Sequence, residues 1–162
     1  MRVAIGSDHA GYELKGVLCR LLDELGVVYR DFGTDSADPV DYPDFVATVA
    51  RAVARGEFDR GIVLGGSGTG EAIVANKIRG IRCVQAANPM VARLGREHND
   101  ANVISIGARV TPADVAEACV REFLEAGFDG GRHARRVAKI AALEAEEAGR
   151  AEENKRTQEA GR

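Results

Sequence analysis

Short apolar runs alternate with helix-spaced apolar positions along this chain. Val3-Ala4-Ile5 reads as a first strand. Leu14, Val17, Leu18, Leu21, Leu22 and Leu25 then recur at three- and four-residue steps, the spacing of one helix face. Gly26 follows where a C′ glycine ends a helix. Val27-Val28-Tyr29 gives strand two, and residues 31–43, carrying Gly, Asp, Ser and Pro, give a long loop. Phe45, Val46, Val49, Ala50 and Val53 mark a second helix. Ile62-Val63-Leu64 is strand three, followed by a glycine-rich turn and a helix over residues 72–77. Strand four is placed at residues 81–85, a short helix at 89–97, strand five at 103–106, and a further helix at 112–126 with Pro112 near its first turn.

This alternation predicts an α/β fold: a doubly wound, mainly parallel five-stranded Rossmann-like sheet with helices on both faces, plus a C-terminal helix. Right-handed crossovers favour the strand order 2-1-3-4-5, with a ligand crevice between the carboxyl ends of strands one and three. The loops there are Ser7-Asp8-His9 and Gly65 to Glu71. After Gly127 the character changes. Gly130-Gly131 leads into a last helix with Val137, Ile140, Ala141 and Leu143, and from Glu144 the chain is Glu, Ala, Arg and Lys with almost nothing apolar. The expected division is one domain over residues 1–143 and a charged tail over 144–162, frayed or a solvent-exposed helix.

Composition narrows the function. The 162 residues suffice for one sizeable core. A net charge of −3 and dispersed basic residues argue against nucleic acid or a membrane surface as partner. No segment approaches the roughly 20 apolar residues of a membrane helix. The strand pattern at residues 2–6 leaves no room for a signal peptide. Cys19, Cys83 and Cys119 are odd in number and far apart, which fits buried thiols in a reducing cytoplasm and neither disulfides nor zinc.

Gly65-Gly66-Ser67-Gly68-Thr69-Gly70-Glu71 is the most telling stretch. A strand, a glycine turn and a helix start make an anion site from backbone N–H groups. The turn lacks the Lys-Ser/Thr of a P-loop and the spacing of a dinucleotide fingerprint. A tight strand-to-helix connection is its plain alternative. Glu71 follows at once; it is either a favourable charge in the first helical turn or a base beside an oxyanion cradle. Asp8 and His9 sit at the same crevice, with an N-cap aspartate and an incidental histidine as the alternative. His98 and Asn99 precede strand five. With strand five at the far sheet edge, His98 would act only on a partner subunit's site. Arg132 and Arg136 lie one helical turn apart, a phosphate clamp or a solvated basic face. Arg109 is a weaker candidate of the same kind.

In combination these residues resemble the type B ribose-5-phosphate isomerases and the related galactose-6-phosphate isomerase subunits. The resemblance covers about residues 1–143 and rests on Gly6-Ser7-Asp8-His9-Ala10-Gly11, Asp41-Tyr42-Pro43, Gly65 to Glu71, Ala75-Asn76-Lys77, residues 96–102, Gly107-Ala108-Arg109 and Gly131-Arg132-His133 with Arg136. Many members place a cysteine base where Gly65 stands; this chain resembles the subgroup with a glutamate base, Glu71. The resemblance implies a metal-independent aldose–ketose isomerisation of ribose 5-phosphate and ribulose 5-phosphate through an enediolate, without a cofactor. Glu71 would shuttle the proton, and Ser67 would relay one between O1 and O2. The N–H groups from Gly66 through Ser67, Gly68 and Thr69 to Gly70 would stabilise the enediolate. A partner's His98 would open the ring, with Asn99 beside it and Asp8 positioning the sugar. Arg132 and Arg136, helped by His9 and Arg109, would hold the phosphate. A shared site implies a homodimer or higher homo-oligomer. Two alternatives stay open: a six-carbon phosphosugar such as allose 6-phosphate or galactose 6-phosphate, and a non-enzymatic phosphate- or nucleotide-binding module.

Overall fold

In the computed structural model, which describes residues 1–160, the strands are β1 (Arg2–Ser7), β2 (Val28–Asp31), β3 (Arg60–Gly65), β4 (Cys83–Gln85) and β5 (Val103–Gly107). The helices are α1 (Tyr12–Glu24), α2 (Tyr42–Ala54), α3 (Thr69–Ala75), α4 (Pro89–Asn99), α5 (Ala113–Glu125) and α6 (Gly131–Ala160), and a single 3-10 turn covers His9–Gly11. Every strand pairing is parallel.

Period-two alternation sorts each strand between two cores. Val3, Ile5, Ile62, Leu64, Ile104 and Ile106 face one side, where Leu18, Leu22, Val120 and Phe123 of α1 and α5 cover them. Ala4, Val63 and Val103 face the other, against Val46, Val49 and Ala50 of α2 and Ala75 of α3. Continuous apolar runs are what a parallel sheet covered on both faces requires, and the doubly wound expectation holds.

The strand order does not follow the expected 2-1-3-4-5. It is β2-β1-β3-β5-β4, so β5 is internal and β4 is the edge. Burial explains the exchange. All five residues of β5 are buried, whereas β4 has three residues, none of them buried, and short strands suit edges. Strand four also begins at Cys83 rather than residue 81. The β1–β3 junction is unaffected, and the crevice forms where expected.

The long segment after β2 is partly tied down. Phe32 and Thr34 donate backbone hydrogen bonds to Ile5 and Ser7, extending the β1 pairing. Buried Lys15 reaches from α1 to the Asp31 carboxylate at 2.7 Å and the Thr34 carbonyl at 2.6 Å. Gly33 lies against the Ser7 backbone, with no space for a Cβ.

Residues from Asp129 onward form a second unit. There α6 continues unbroken past residue 143, and beyond it only Glu144 and Ala148 are even half-buried. Arg150 bridges Glu146 and Glu147 at 2.7 Å each, the kind of surface pairing that supports a helix with few apolar residues. Among the described residues no helix is long and apolar enough to cross a membrane.

Gly33→Ala should cost about 3 kcal/mol in urea melts, because its Cβ meets fixed backbone rather than a movable side chain. Gly127→Ala, with open space around it, should stay within about 0.5 kcal/mol. Equal stability of the two variants would refute the close β1–loop packing.

Candidate active site

The turn after β3 is shaped by two positions. Gly68 is the N-cap of α3 with φ +79°, a left-handed conformation that glycine adopts at no steric cost. Gly65 ends β3, and a Cβ there would fall on the Glu71 carboxylate. The missing side chain at 65 is therefore the space that Glu71 fills. The backbone N–H groups of Gly66 and Ser67 are engaged in no hydrogen bond within the sheet or the helix, and that of Gly68 faces the Glu71 carboxylate. Ser67 Oγ accepts from Thr69 N at 3.2 Å, so its hydroxyl hydrogen stays available to another group.

Glu71 is 4% exposed, and its Oε2 is buried without a partner. Burial raises its pKa above the usual glutamate range, and the charge of Asp8 adds to the rise. Its own N–H, and to a smaller extent that of Gly68, oppose it. The carboxylate occupies the N3 position of α3, reaching back toward the N-cap amide as in half of a capping box. Cys83 lies beneath. Its thiol is pushed up to about 12, by burial first and then by the Glu71 charge, which leaves it protonated and unfit as a nucleophile.

The turn opens on a cavity of about 520 Å³ lined by Asp8, His9, Tyr42, Gly66, Ser67, Gly70, Glu71 and Arg109, among others. Its size is that of a small-molecule site. Asp8 caps the 3-10 turn, accepting from Ala10 N at 2.9 Å and Gly11 N at 3.0 Å, so the N-cap reading and the crevice position are both real. His9 Nδ1 lies 3.2 Å from both the carbonyl and the N–H of Val40, which fixes the ring. Arg109, the weaker candidate from sequence, lines this cavity. Its backbone N–H donates to Gly66 O at 2.9 Å, and its side chain sits over Gly66. It supplies a cation in the cavity that holds two carboxylates. Tyr42 is a lining residue that the chemistry-first reading passed over; its only trace was the Asp41-Tyr42-Pro43 segment.

The remaining candidates lie elsewhere. Gly68 and Thr69 form the back of the turn. His98 and Asn99 end α4, just before β5 begins; Glu71 follows the end of β3. The expected reason for separating His98 from Glu71, an edge position of strand five, is wrong because β5 is internal. The separation stands for another reason: the two residues belong to opposite ends of the parallel strands, about 15 Å apart along the strand direction. Arg132 and Arg136 belong to the second unit, exposed on the first turns of α6, with Arg132 Nε 3.2 Å from His133 Nε2.

Residues 3–140 match the family described as Ribose/Galactose Isomerase. The chain is 45% identical to ribose-5-phosphate isomerase B of Escherichia coli over 143 residues, covering 88% of this chain and 96% of that protein. It is 38% identical to the D-erythrulose-4-phosphate isomerase of Pectobacterium atrosepticum, covering 91% and 97%. Among solved structures, ribose-5-phosphate isomerase B of Clostridium thermocellum superimposes with a TM-score of 0.89 at 49% identity, covering 90% of this chain and 99% of that one.

The raised Glu71 pKa has a consequence for stability. The folded state holds this proton more tightly than the unfolded chain, so stability falls as pH rises from the ordinary glutamate value, about 4.3, through the raised one. Glu71→Gln removes that dependence. Its stability relative to the parent should climb across this window and level off above it. A difference independent of pH in denaturant titrations would contradict the assigned burial.

Proposed function

Because the chain belongs to the ribose/galactose isomerase family, we propose that it interconverts D-ribose 5-phosphate and D-ribulose 5-phosphate through an enediolate, with Glu71 as the base. The observation that carries the reading is the Glu71 carboxylate. It is buried, has one oxygen without a partner, and shares a cavity with Gly66 and Ser67, whose backbone N–H groups make no hydrogen bond in the sheet or the helix.

The chemistry divides among the residues in hand. Glu71 takes the C2 proton of the open-chain aldose and returns it to C1, so no net oxidation occurs. A positioned base contributes roughly 10²–10⁴-fold. Negative charge gathers on the oxygens at C1 and C2, and the turn's N–H groups stabilise it. Each such donor contributes about 3–4 kcal/mol in comparable sites. Ser67, whose oxygen already accepts from Thr69 N, donates its own hydrogen and relays a proton between the two oxygens. Asp8 orients the sugar hydroxyls. His9 and Arg109, in the same cavity, hold the phosphate.

His98, at the far end of the strands, opens the sugar ring only in the site of a second copy, with Asn99 beside it. This makes the working unit a homodimer or larger. Exposed apolar residues support that reading: Val110 on the cavity rim at 61% and Ile73, two residues beyond Glu71, at 56%. The three free thiols fit a cytoplasmic protein. A different substrate length is the second reading, favoured by the relative named for erythrulose 4-phosphate. Rates on four-, five- and six-carbon phosphosugars decide it, with the five-carbon pair expected to lead.

In a coupled assay with ribose 5-phosphate, Glu71→Gln should lose at least about a thousandfold in kcat, while phosphosugar affinity stays within about tenfold. Retained turnover would remove Glu71 from its role. Mixing inactive Glu71→Gln with inactive His98→Ala protein should restore activity as subunits exchange, since one site per mixed dimer is intact. Absence of recovery after exchange is verified would disprove the shared site.

A further inference from the structure

The glycine turn that would stabilise the enediolate is made of peptide units that rotate easily. Gly66, Gly68 and Gly70 leave it with little steric preference of its own. Nevertheless, its carbonyls must point out of the cavity. In a trans peptide the carbonyl and the following N–H point in opposite directions, and the described residues contain no cis bond. A flipped unit would turn a carbonyl oxygen toward the charge that develops on the sugar.

Two side chains outside the cavity oppose such a flip. Gln85 and Ser105 are direct cross-strand partners on β4 and β5, near the carboxyl ends of both strands. Gln85 Nε2 donates to Ser67 O at 2.8 Å and lies 3.1 Å from Thr69 Oγ1. Ser105 Oγ donates to Gly68 O at 2.6 Å and is fully buried. Holding the Ser67 carbonyl toward β4 aims the Gly68 N–H the other way, toward the Glu71 carboxylate. Holding the Gly68 carbonyl aims the Thr69 N–H, which is the group that fastens Ser67 Oγ. The backbone at Gly107 closes the turn from behind, where a Cβ would meet Ser67.

We propose that Gln85 and Ser105 are positioning residues of the oxyanion turn, a cross-strand pair that grips two consecutive carbonyls and thereby aims the amide that serves the base and the amide that fastens the Ser67 hydroxyl beside the enediolate. Neither residue lines the cavity; both act through the backbone. The proposal rests on the isomerase reading for its catalytic consequence, but the aiming of the amides is a property of the free protein.

The test uses the full chain with Gln85→Leu, which removes the donor without adding charge, Gln85→Glu, which keeps the shape but sets an acceptor against a carbonyl, and Ser105→Ala. Both Gln85 variants should lose about tenfold to a hundredfold in kcat, with KM for ribose 5-phosphate within about threefold; Ser105→Ala should lose less, because Ala72 N still holds Gly68 O. Affinity for a phosphorylated four-carbon hydroxamate, an enediolate mimic, should fall in step with kcat. Affinity for ribitol 5-phosphate, which lacks the developing charge, should not change. The acid limb of kcat/KM should move to higher pH in Gln85→Leu, since Glu71 loses an aligned amide. The other groups facing that carboxylate, Asp8, His9, Tyr42, Arg109 and Cys83, are the same in the variant.

Unchanged kcat and hydroxamate affinity in Gln85→Leu would overturn the proposal, as would equal losses for the hydroxamate and the polyol phosphate. The amide resonance of Gly68 in the ligand-free protein supplies a readout that does not need turnover: it should shift in Gln85→Leu, and an unmoved resonance would also overturn the proposal. A parent chain that isomerises no phosphosugar would instead overturn the isomerase reading, with the Gly68 resonance still deciding the positioning.

Discussion

The site depends on one buried carboxylate set where a neighbouring residue has no side chain. Glu71 enters the volume that a Cβ at Gly65 would fill, and at 4% exposure it has given up most of its water. An ionised carboxyl there is costly, and an oxygen left without a partner makes it costlier. What keeps the cost tolerable is the geometry of the turn. The N-terminus of α3 presents its own amide and that of Gly68 to the carboxylate, and Arg109 supplies a cation across the same cavity. A group held in this balance gains from receiving a proton, which is what a base beside a C–H bond must do. The same burial that costs stability would thus supply driving force for the proposed proton abstraction.

The sheet places this balance at one point. Alternate residues of β1, β3 and β5 feed the two cores, so no strand can slip by one residue without exchanging both faces. With register fixed, β1 and β3 end side by side, and the Asp8-His9 and Gly65–Glu71 loops must converge. That much was legible in the chain, because apolar alternation and glycine spacing are local signals. The order of β4 and β5 was not. Both read as short apolar runs, and only the comparison of five buried residues with three incompletely buried ones separates a central strand from an edge.

Among site residues, legibility followed the same rule. Glu71, Ser67, Asp8 and His9 adjoin strand ends, where topology alone predicts a crevice. Arg109 follows strand five, and nothing local tells which strand lies beside it; placing β5 next to β3 brings it over Gly66. Tyr42 starts a helix after a long loop, and nothing local says that the loop is drawn back along β1 by Lys15, Phe32 and Thr34. Gln85 and Ser105 were invisible for a third reason. Ser105, a polar residue in a buried strand, looks like a tolerated exception until its hydroxyl is found on a specific carbonyl, and Gln85, exposed on the edge strand, looks like ordinary surface until its amide is found on another.

The proposed glutamate base and the cysteine base that the sequence resemblance implies for many members of the family would be two ways of putting one basic atom in one place. A side chain rooted at 65 would point from the strand end into the volume now taken by the carboxylate rooted at 71. The two cannot coexist without displacing each other. A thiolate there would come from a rigid strand and need no orienting amide. A carboxylate arrives from the first turn of a helix, along a longer and more flexible side chain. Its aim is therefore only as good as that of the turn it leans on. This makes the proposed grip of Gln85 and Ser105 on the turn's carbonyls a natural companion of the glutamate solution: the more freely the base can move, the more the backbone around it must be held.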